Sequence, residues 1–368
     1  MQTTIKVETL QTMLAQKEPL MVLDVRPLDE RAEWAIPGSL HADVYQALKA
    51  HDPEALTGLD LPADRPVVTV CGAGIASLTA ARQLQARGLQ ALSLEGGMKA
   101  WSLAWNVAEV PLPHSRASVI QVRRAGKGCL SYLIGAGDQA VVIDPSLQPE
   151  VYLKLAQESG WRISSVLETH IHADHLSRGR QLAGMSGATL YLPPQDRTAF
   201  SFTALQDGET LAIGPTRLKA LHTPGHTGES TSYLLDGQAL FTGDTLFLSG
   251  VGRPDLEVGL NEAQNRARVL YHSLQRLLAL SPETLILPGH SSEPTPFDGQ
   301  AIVSSLGEVH ERTELLQVPK ETFIELLLAH IPPTPPNYHR IVELNEAGLL
   351  PEGDPTELEA GANRCAVG

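Results

Sequence analysis

Apolar residues in the first hundred positions occur as short runs that alternate with helix-type patterns. The segments PLMVLDVR, PVVTVCG and ALSLEGG each concentrate apolar residues over the length of a strand. Between them, DERAEWAIPG is typical of a helix and turn, and SLTAARQLQARG of an amphipathic helix that ends at Gly88. Strands that alternate with helices predict an α/β domain, a parallel sheet with helices on both faces.

The pattern changes after 107–118, which is rich in proline and small polar residues. There, SVIQVRRA, CLSYLIGA and QAVVIDP predict a meander of strands, and later strands are interrupted by helices at 149–159 and 261–279. This order favours two sheets packed face to face with helices outside, an αββα sandwich. We predict four parts: the α/β domain at 1–110, a linker at 111–118, the sandwich at 119–331 and a C-terminal extension at 332–368.

Composition limits the set of partners. The chain of 368 residues has 42 acidic against 28 basic side chains and a formal net charge of -14. Such a surface disfavours binding to nucleic acid or to an anionic membrane. No apolar run approaches the roughly 18 residues that a membrane-spanning helix needs. Three widely spaced cysteines and an N-terminus without a signal-peptide core indicate a cytoplasmic enzyme, and a homo-oligomer is left open.

Histidine and aspartate are concentrated in the stretch ETHIHADHLS. It follows a predicted strand, as do HTPGHTGES, FTGDTLF and ILPGHSS further along the chain, and strand ends commonly carry functional loops. In an extended backbone His170 and His172 would project to the same side, with a helix beginning at Asp174 and His175. Together the motifs supply seven candidate metal ligands: His170, His172, Asp174, His175, His226, Asp244 and His290.

In this order THIHADH, TPGHT, TGDTLF and PGH resemble the metallo-β-lactamase superfamily, whose fold is the αββα sandwich. The superfamily includes di-zinc hydrolases, among them glyoxalase II-like thioesterases, and mononuclear iron persulfide dioxygenases, and the two groups share these motifs. If all seven groups bind, Asp244 bridges two zinc-like ions. The resemblance to persulfide dioxygenases implies instead one Fe(II) per chain, held by His170, His226 and Asp244. Four groups would then orient the ligands and water: His172, Asp174, His175 and His290.

The segment SGVGRPDLE follows the aspartate motif. Persulfide dioxygenases carry a similar Gly-Arg-x-Asp segment, and this resemblance implies that Arg253 holds an anionic part of the substrate. A structural salt bridge with Asp255 is the alternative. Pro254 and Leu256 differ from the mitochondrial form of the family, which leaves the thiol carrier open. The segment looks closer to bacterial enzymes that fuse this domain to a sulfurtransferase.

The α/β domain resembles such a sulfurtransferase. VLDVRPLDERAEWAIPGSLHA, VTVCGAGIAS and LEGGMKAW resemble a rhodanese domain over most of residues 5–106. The pattern places Cys71 at a strand end, before a loop with Gly72, Gly74 and Ser77 whose amides would surround a thiolate or a cysteine persulfide. Many rhodaneses have an arginine where Ala76 stands, so weak thiosulfate binding is expected.

The two resemblances together imply one enzyme of sulfur metabolism. It would oxidise a low-molecular-weight persulfide, of glutathione or another thiol, with O₂ to sulfite and free thiol. At Cys71 it would transfer sulfane sulfur or form thiosulfate. The alternatives are a di-zinc thioesterase with an accessory rhodanese domain and a non-catalytic sulfur carrier with a structural metal. Cys129 is expected to be structural, and Cys365 to be inert or a sulfur relay.

Overall fold

The computed structural model describes residues 2–256, 258–361 and 363–368. Its first domain has five strands: β1 (Thr4–Ile5), β2 (Met21–Asp24), β3 (Leu40–His41), β4 (Val67–Val70) and β5 (Ala91–Leu94). Five helices alternate with them: α1 (Val7–Ala15), α2 (Leu28–Glu33), α3 (Tyr45–Lys49), α4 (Ile75–Ala86) and α5 (Gly97–Trp101). The strands are parallel in the order β1-β5-β4-β2-β3, which confirms the predicted sheet.

The central strand β4 is buried at every position. This is the pattern of a parallel strand that is covered on both faces. On one face Val67 packs in the same cluster as Ala80 of α4. On the other face Val68 packs with Leu10 of α1 and Trp101 of α5. Because every position of β4 is buried, the strand holds Cys71, the residue that directly follows it, at a fixed position.

The second domain contains two sheets and the helices that cover them. The first sheet has seven strands: β6 (Asn106–Val110), β7 (Ser118–Arg124), β8 (Cys129–Ala136), β9 (Gln139–Ile143), β10 (Arg162–Leu167), β11 (Thr189–Leu192) and β12 (Thr203–Ala204). The next strands are β13 (Thr210–Ile213), β14 (Thr216–His222), β15 (Thr231–Leu235), β16 (Ala239–Gly243), β17 (Val251–Gly252), β18 (Leu285–Pro288) and β19 (Ser304–Ser305). All of these except β17 form the second sheet, in the order β13-β14-β15-β16-β18-β19.

Five α-helices and one short 3₁₀ helix accompany these sheets. They are α6 (Pro149–Glu158), α7 (Gly179–Ser186), α8 (Leu260–Leu278), α9 (Leu306–Arg312), the 3₁₀ helix Glu314–Leu316 and α10 (Lys320–Ala329). Leu270 and Phe323 of α8 and α10 pack on the second sheet, and Tyr152 of α6 packs on the first. Within the described ranges, no helix combines the length and apolar character that crossing a membrane requires.

The inner faces of the two sheets form one core. Tyr132 of β8 meets Phe241 of β16 with ring centroids 4.9 Å apart, and both side chains are buried. Aliphatic residues of both sheets surround this pair. With helices on the two outer faces, the domain is the αββα sandwich that the sequence predicts.

The predicted linker at 111–118 connects the two strands of a hairpin. β6 pairs antiparallel with β7, from Asn106 opposite Arg123 to Val110 opposite Val119. The first strand of the sandwich therefore lies before the predicted boundary at residue 110. A five-residue edge strand next to a proline-rich turn gives a weak pattern, because only alternate residues of it are buried.

The C-terminal extension is folded onto the sandwich. It contains α11 (Tyr338–Ala347), α12 (Thr356–Glu359) and β20 (Ala366–Val367), which pairs antiparallel with β17. The buried carboxylate of Glu359 accepts hydrogen bonds from Arg124 at 3.2 Å, Arg178 at 3.5 Å and the N–H of Leu176 at 2.7 Å. Burial alone would raise the pKa of Glu359, but the two guanidinium charges lower it.

The two domains share a packed interface. Phe297 of the sandwich lies against Trp101 of the first domain, with ring centroids 5.8 Å apart. The guanidinium of Arg124 donates to the carbonyl of Ser102 at 2.7 Å. Gly126 approaches so closely that a Cβ built there would lie 1.7 Å from the carbonyl oxygen of Trp101. The rhodanese-like half and the sandwich are therefore in direct backbone contact.

Replacing Glu359 with alanine tests the buried ion group. The change leaves Arg124 and Arg178 without their shared carboxylate, so we expect a loss of about 3–5 kcal/mol in the free energy of unfolding, measured with urea. Glu357→Ala on the same helix removes only an exposed partner of Lys99 and is expected to leave the midpoint nearly unchanged. Because folding lowers the pKa of Glu359, its contribution is present at neutral pH and is lost as the pH falls below about 4. Equal effects of the two variants would contradict this assignment.

Candidate metal centre and sulfur site

Four strands of the sandwich end near one another, and the candidate ligands follow them. The strands β10, β14, β16 and β18 end at Leu167, His222, Gly243 and Pro288. The loops after them carry the seven predicted residues, each at most 4% exposed: His170, His172, Asp174, His175, His226, Asp244 and His290. The structure thus brings all seven into one buried region.

His170, His226 and Asp244 form a distinct group whose ligand atoms lie within 4.8 Å of one another. The Nε2 atoms of His170 and His226 are 3.9 Å and 3.8 Å from Oδ2 of Asp244, too far for hydrogen bonds. Within the described ranges, Nε2 of His170 and Oδ2 of Asp244 have no hydrogen-bond partner. Buried polar atoms are normally paired, so the two unpartnered atoms fit a cation held by the three side chains.

Hydrogen bonds at the opposite ring nitrogens orient both imidazoles. Nδ1 of His226 donates to the carbonyl of Arg253 at 2.8 Å. The hydroxyl of Thr169 donates to Asp144 at 2.8 Å, so it accepts from Nδ1 of His170 at 2.9 Å. Both rings therefore carry their proton on Nδ1 and direct the Nε2 lone pair toward Asp244, as metal-binding histidines do.

Charges in this group suit metal binding. Burial lowers the pKa of His170 well below its usual range and also lowers that of His226, so both imidazoles are neutral. Burial alone would raise the pKa of Asp244, but the charge and hydrogen bond of His290 lower it. Two neutral imidazoles and one carboxylate are the donor set that a divalent transition metal requires.

Two glycines of the sequence motifs leave space for side chains of the centre, the carboxylate of Asp244 and the hydroxyl of Thr169. A Cβ at Gly289 would lie 2.6 Å from Oδ1 of Asp244. At Gly243, where φ is +49°, a Cβ would lie 2.5 Å from the hydroxyl of Thr169. The glycines of TGD and PGH are thus required by close packing at the centre.

His172 packs against His170, with ring centroids 4.2 Å apart, and within the described ranges its Nδ1 has no hydrogen-bond partner. Its Nε2 lies 3.2 Å from both Asp144 and Glu168, and these three form a separate group. The expectation that His170 and His172 share a face assumed an extended backbone, but β10 ends at Leu167 and the two residues lie in an irregular loop. The helix expected at Asp174 and His175 likewise begins later, at Gly179.

Asp174, His175 and His290 form the remaining group, together with Cys129. Nδ1 of His175 is 3.0 Å from Asp174. His290 lies between two carboxylates, with Nδ1 at 2.6 Å from Asp244 and Nε2 at 2.9 Å from Asp174. Burial alone would lower the pKa of His290, but these two carboxylates raise it well above its usual range.

Arg253 is fully buried beside the centre. Its guanidinium donates to both carboxylate oxygens of Asp255 at 2.8 Å and to the carbonyls of Pro333 and Arg364. This is the salt bridge that the sequence left as the alternative. Because its own carbonyl accepts from His226, Arg253 orients a candidate ligand, and its contact with substrate stays a prediction.

A cleft of about 560 Å³ reaches the centre at His290. The C-terminal extension supplies one wall through Asn363, Arg364 and Ala366, and Arg312 lies on the opposite side. In an acidic protein these two arginines are the kind of cationic groups that an anionic thiol carrier requires. The cleft is therefore the candidate route for a small substrate.

The predicted sulfur site lies in a tight loop between β4 and α4. Cys71 is 1% exposed, and its Sγ lies 3.4 Å from the N–H and 3.3 Å from the hydroxyl of Ser77. Gly74 has a φ of +85° and packs against the backbone at Gly96 and Gly97, which permits the tight curl after Gly72. Donors directed at the sulfur would stabilise a thiolate or a persulfide.

The cleft beside this loop has a net negative charge. Its lining includes Gly72, the carboxylates of Asp29, Glu30 and Glu33, and two cations, Arg26 and Lys99. Both cations are paired with acidic side chains, Arg26 with Asp24 and Lys99 with Glu357. Repulsion by the three carboxylates disfavours a dianion such as thiosulfate, in agreement with the alanine at position 76. A neutral or monoanionic persulfide would enter at a smaller electrostatic cost.

Sequence reasoning missed three groups of the centre: Asp144, Glu168 and Asn345. The amide of Asn345 donates to the carbonyls of His172 and His175 at 2.8 and 2.9 Å. Asp144 ends the strand segment VVIDP, and an aspartate before a proline at a strand end is a readable signal. Asn345 and Glu168 give no comparable signal, because their contacts depend on the fold.

Comparisons with known proteins agree with this architecture. The profile of the metallo-beta-lactamase superfamily matches residues 124–290, and that of the rhodanese-like domain matches residues 6–104. The first match contains every candidate ligand, and the second contains Cys71 and its loop.

Three similar proteins illustrate the range of relatives. A hydroxyacylglutathione hydrolase of Rhodospirillum rubrum is 36% identical over 158 residues, 40% of this chain and 56% of the relative, so just over half of that relative's length is matched. The crystal structure of ETHE1 from Myxococcus xanthus has a TM-score of 0.55 at 33% identity, covering 62% of this chain and 97% of that one. A metallo-beta-lactamase from Staphylococcus aureus has a TM-score of 0.58 at 29% identity, covering 64% and 74%.

The two matched regions coincide with the two observed domains, and the ETHE1 likeness extends over nearly the whole of that protein. A sandwich with a buried histidine and aspartate centre thus follows a domain with a cysteine in a rhodanese-type loop. The chain belongs to the metallo-beta-lactamase superfamily and carries a rhodanese-like domain before the metal-binding fold.

Proposed function

We propose that this protein is a persulfide dioxygenase with an attached sulfurtransferase domain. In the overall reaction a persulfide RSSH, O₂ and water give the thiol RSH, sulfite and two protons. The substrate would be the persulfide of glutathione or of another small thiol. The cofactor would be one Fe(II) per chain, held by His170, His226 and Asp244.

The grouping of His170, His226 and Asp244 carries the proposal, because their ligand atoms all lie within 4.8 Å of one another. Nε2 of His172 is engaged by Asp144 and Glu168 instead. Two histidines and one carboxylate thus form the donor set. Such a site leaves coordination positions for O₂ and a sulfur ligand, and it supplies the electrons for oxygen activation.

The surrounding residues provide orientation, charge and exclusion of water. Thr169 and the carbonyl of Arg253 fix the two imidazoles, so the ligand geometry is set before metal binds. His290 can hold a proton between Asp244 and Asp174, within reach of groups that change charge during turnover. Burial of the centre keeps bulk water from the reacting sulfur.

In the other domain, Cys71 would accept and transfer the outer sulfur of a persulfide. Attack of its thiolate on the outer sulfur of a persulfide forms Cys71 persulfide and releases the carrier thiol. Sulfite could then take up that sulfur as thiosulfate. The acidic cleft favours this assignment over thiosulfate as the sulfur donor.

A di-zinc thioesterase is the second candidate. Asp244 directs Oδ2 to the triad and Oδ1 to His290, as a carboxylate that bridges two ions would. The likeness to a hydroxyacylglutathione hydrolase points the same way. His175→Ala separates the two possibilities, because it would remove one of two zinc ions but would leave a single iron bound.

Oxygen uptake tests the proposal directly. Anaerobically purified protein with about one iron per chain should consume O₂ when glutathione persulfide is added and should release sulfite. The metal content would be measured on the same sample. Two zinc ions per chain, no oxygen uptake and hydrolysis of an acyl-glutathione would instead establish the thioesterase.

Metal affinity of two histidine variants tests the triad. His226→Ala removes a ligand, so we expect a loss in affinity larger than the roughly 10- to 100-fold effect of changing a residue that only supports a ligand. His222→Ala is the matched control, since its ring lies at the end of β14 and contacts only the carbonyl of Gly228 among the hydrogen bonds of the described chain. Competition with a chromophoric chelator gives both values. Equal metal affinities of the two variants would show that His226 is not a ligand.

Cys71→Ser separates the two activities. The sulfur loading of the first domain should be lost, because serine cannot form a persulfide, while oxygen uptake from free persulfide should continue. Mass spectrometry of the intact protein measures the added sulfur. If Cys71→Ser lost both oxygen uptake and sulfur loading, sulfur would have to pass through Cys71 to reach the metal.

A further inference from the structure

The segment 363–368, here called the strap, lies in the metal centre. Its strand β20 pairs with β17, with Val367 opposite Val251 and Ala366 opposite Gly252. The N–H of Arg253 donates to the carbonyl of Cys365 at 2.9 Å. Val367 is 2% exposed and belongs to the core under α8 and α10. The strap is therefore anchored on both sides of its cysteine.

Two residues of the strap contact the acidic groups of the centre. Asn363 donates to Oδ2 of Asp174 at 2.9 Å, and its side-chain oxygen accepts from the N–H of Cys365 at 2.8 Å. The thiol of Cys365 is 1% exposed and lies in one group with Asp244 and His290, whose ligand atoms are all within 4.8 Å. Asn363 thus connects the backbone of Cys365 to Asp174, and the thiol is held beside Asp244 and His290 of the candidate metal centre.

A polar atom of the group that contains this thiol lacks a partner. In the described ranges, Oδ2 of Asp244 accepts no hydrogen bond, although the residue is 2% exposed. A buried thiol satisfies such an atom poorly, since it is a weak donor. A divalent ion with affinity for sulfur would satisfy both the carboxylate oxygen and the thiolate.

We propose that Cys365 is a thiolate ligand of the metal centre, delivered by the strap. On binding, the thiol loses its proton to solvent and the sulfur donates a lone pair to the ion. The strap also forms a wall of the access cleft, so an external thiol or persulfide would compete with Cys365 for its position. The proposal requires only that the centre binds a metal ion and does not depend on which reaction the ion catalyses.

Cobalt(II) substitution tests this coordination. Anaerobic apoprotein with one equivalent of cobalt(II) should show strong near-ultraviolet absorption from thiolate-to-metal charge transfer. Cys365→Ser should bind the same amount of cobalt and lose most of that absorption. Cys71→Ser, in the other domain, is the matched control and should retain it. Cys129→Ser tests the other thiol of the centre, and it too should retain the band. Persistence of the band in Cys365→Ser at full cobalt occupancy would overturn the proposal, as would its loss in Cys129→Ser alone.

Alkylation of the wild-type protein gives an independent measurement that needs no variant. Iodoacetamide should modify Cys365 in the apoprotein when the strap opens, and cobalt(II) well above its dissociation constant should slow this by at least about tenfold, because the ion stabilises the closed state. Peptide mass spectrometry reports the rate at each cysteine. An unchanged rate at Cys365 would exclude it as a ligand. Absence of oxygen uptake by the iron protein would affect neither readout, so the two proposals fail separately.

Discussion

The buried carboxylate of Asp144 determines how the loop of the metal centre is folded. It follows β9 with a φ of +51° and accepts the N–H of Thr169 at 2.7 Å and its hydroxyl at 2.8 Å. The same carboxylate engages His172. Since the hydroxyl of Thr169 is committed as a donor, it fixes the tautomer of His170. One charge therefore directs Nε2 of His170 toward Asp244 and also holds Nε2 of His172.

A second constraint is that segments far apart in the chain must meet at the metal centre. Metal-binding groups come from four strand ends of the sandwich, and the extension then covers them through Asn345, Asn363 and Glu359. Each of these contacts uses a polar side chain to satisfy buried groups of the loops beneath. The centre is thus enclosed in part by the extension, which these polar contacts hold to the loops beneath.

The fold was predictable from the sequence because apolar periodicity distinguishes the two domains, and the motifs identified seven candidate ligands that the structure brings into one region. Division of those seven between groups was not predictable, since it depends on side-chain directions in an irregular loop. Contacts between positions far apart were also inaccessible. Leu176 and Glu359 are separated by 183 residues and Asp174 and Asn363 by 189, and no local pattern encodes such pairs. The strand β6 was missed for a different reason, because its pairing partner lies beyond a proline-rich turn.

Gly126 has a consequence for how the two halves behave as one molecule. Its α-carbon lies against the main chain at Trp101, where any larger residue would force the domains apart. Together with Phe297 and Arg124, this contact makes the outer surface of one domain part of the interior of the other. Unfolding of either half would therefore expose apolar surface on its neighbour, so the interface couples the stability of the two halves. The fusion is then closer to one protein with two sites than to two enzymes joined by a tether.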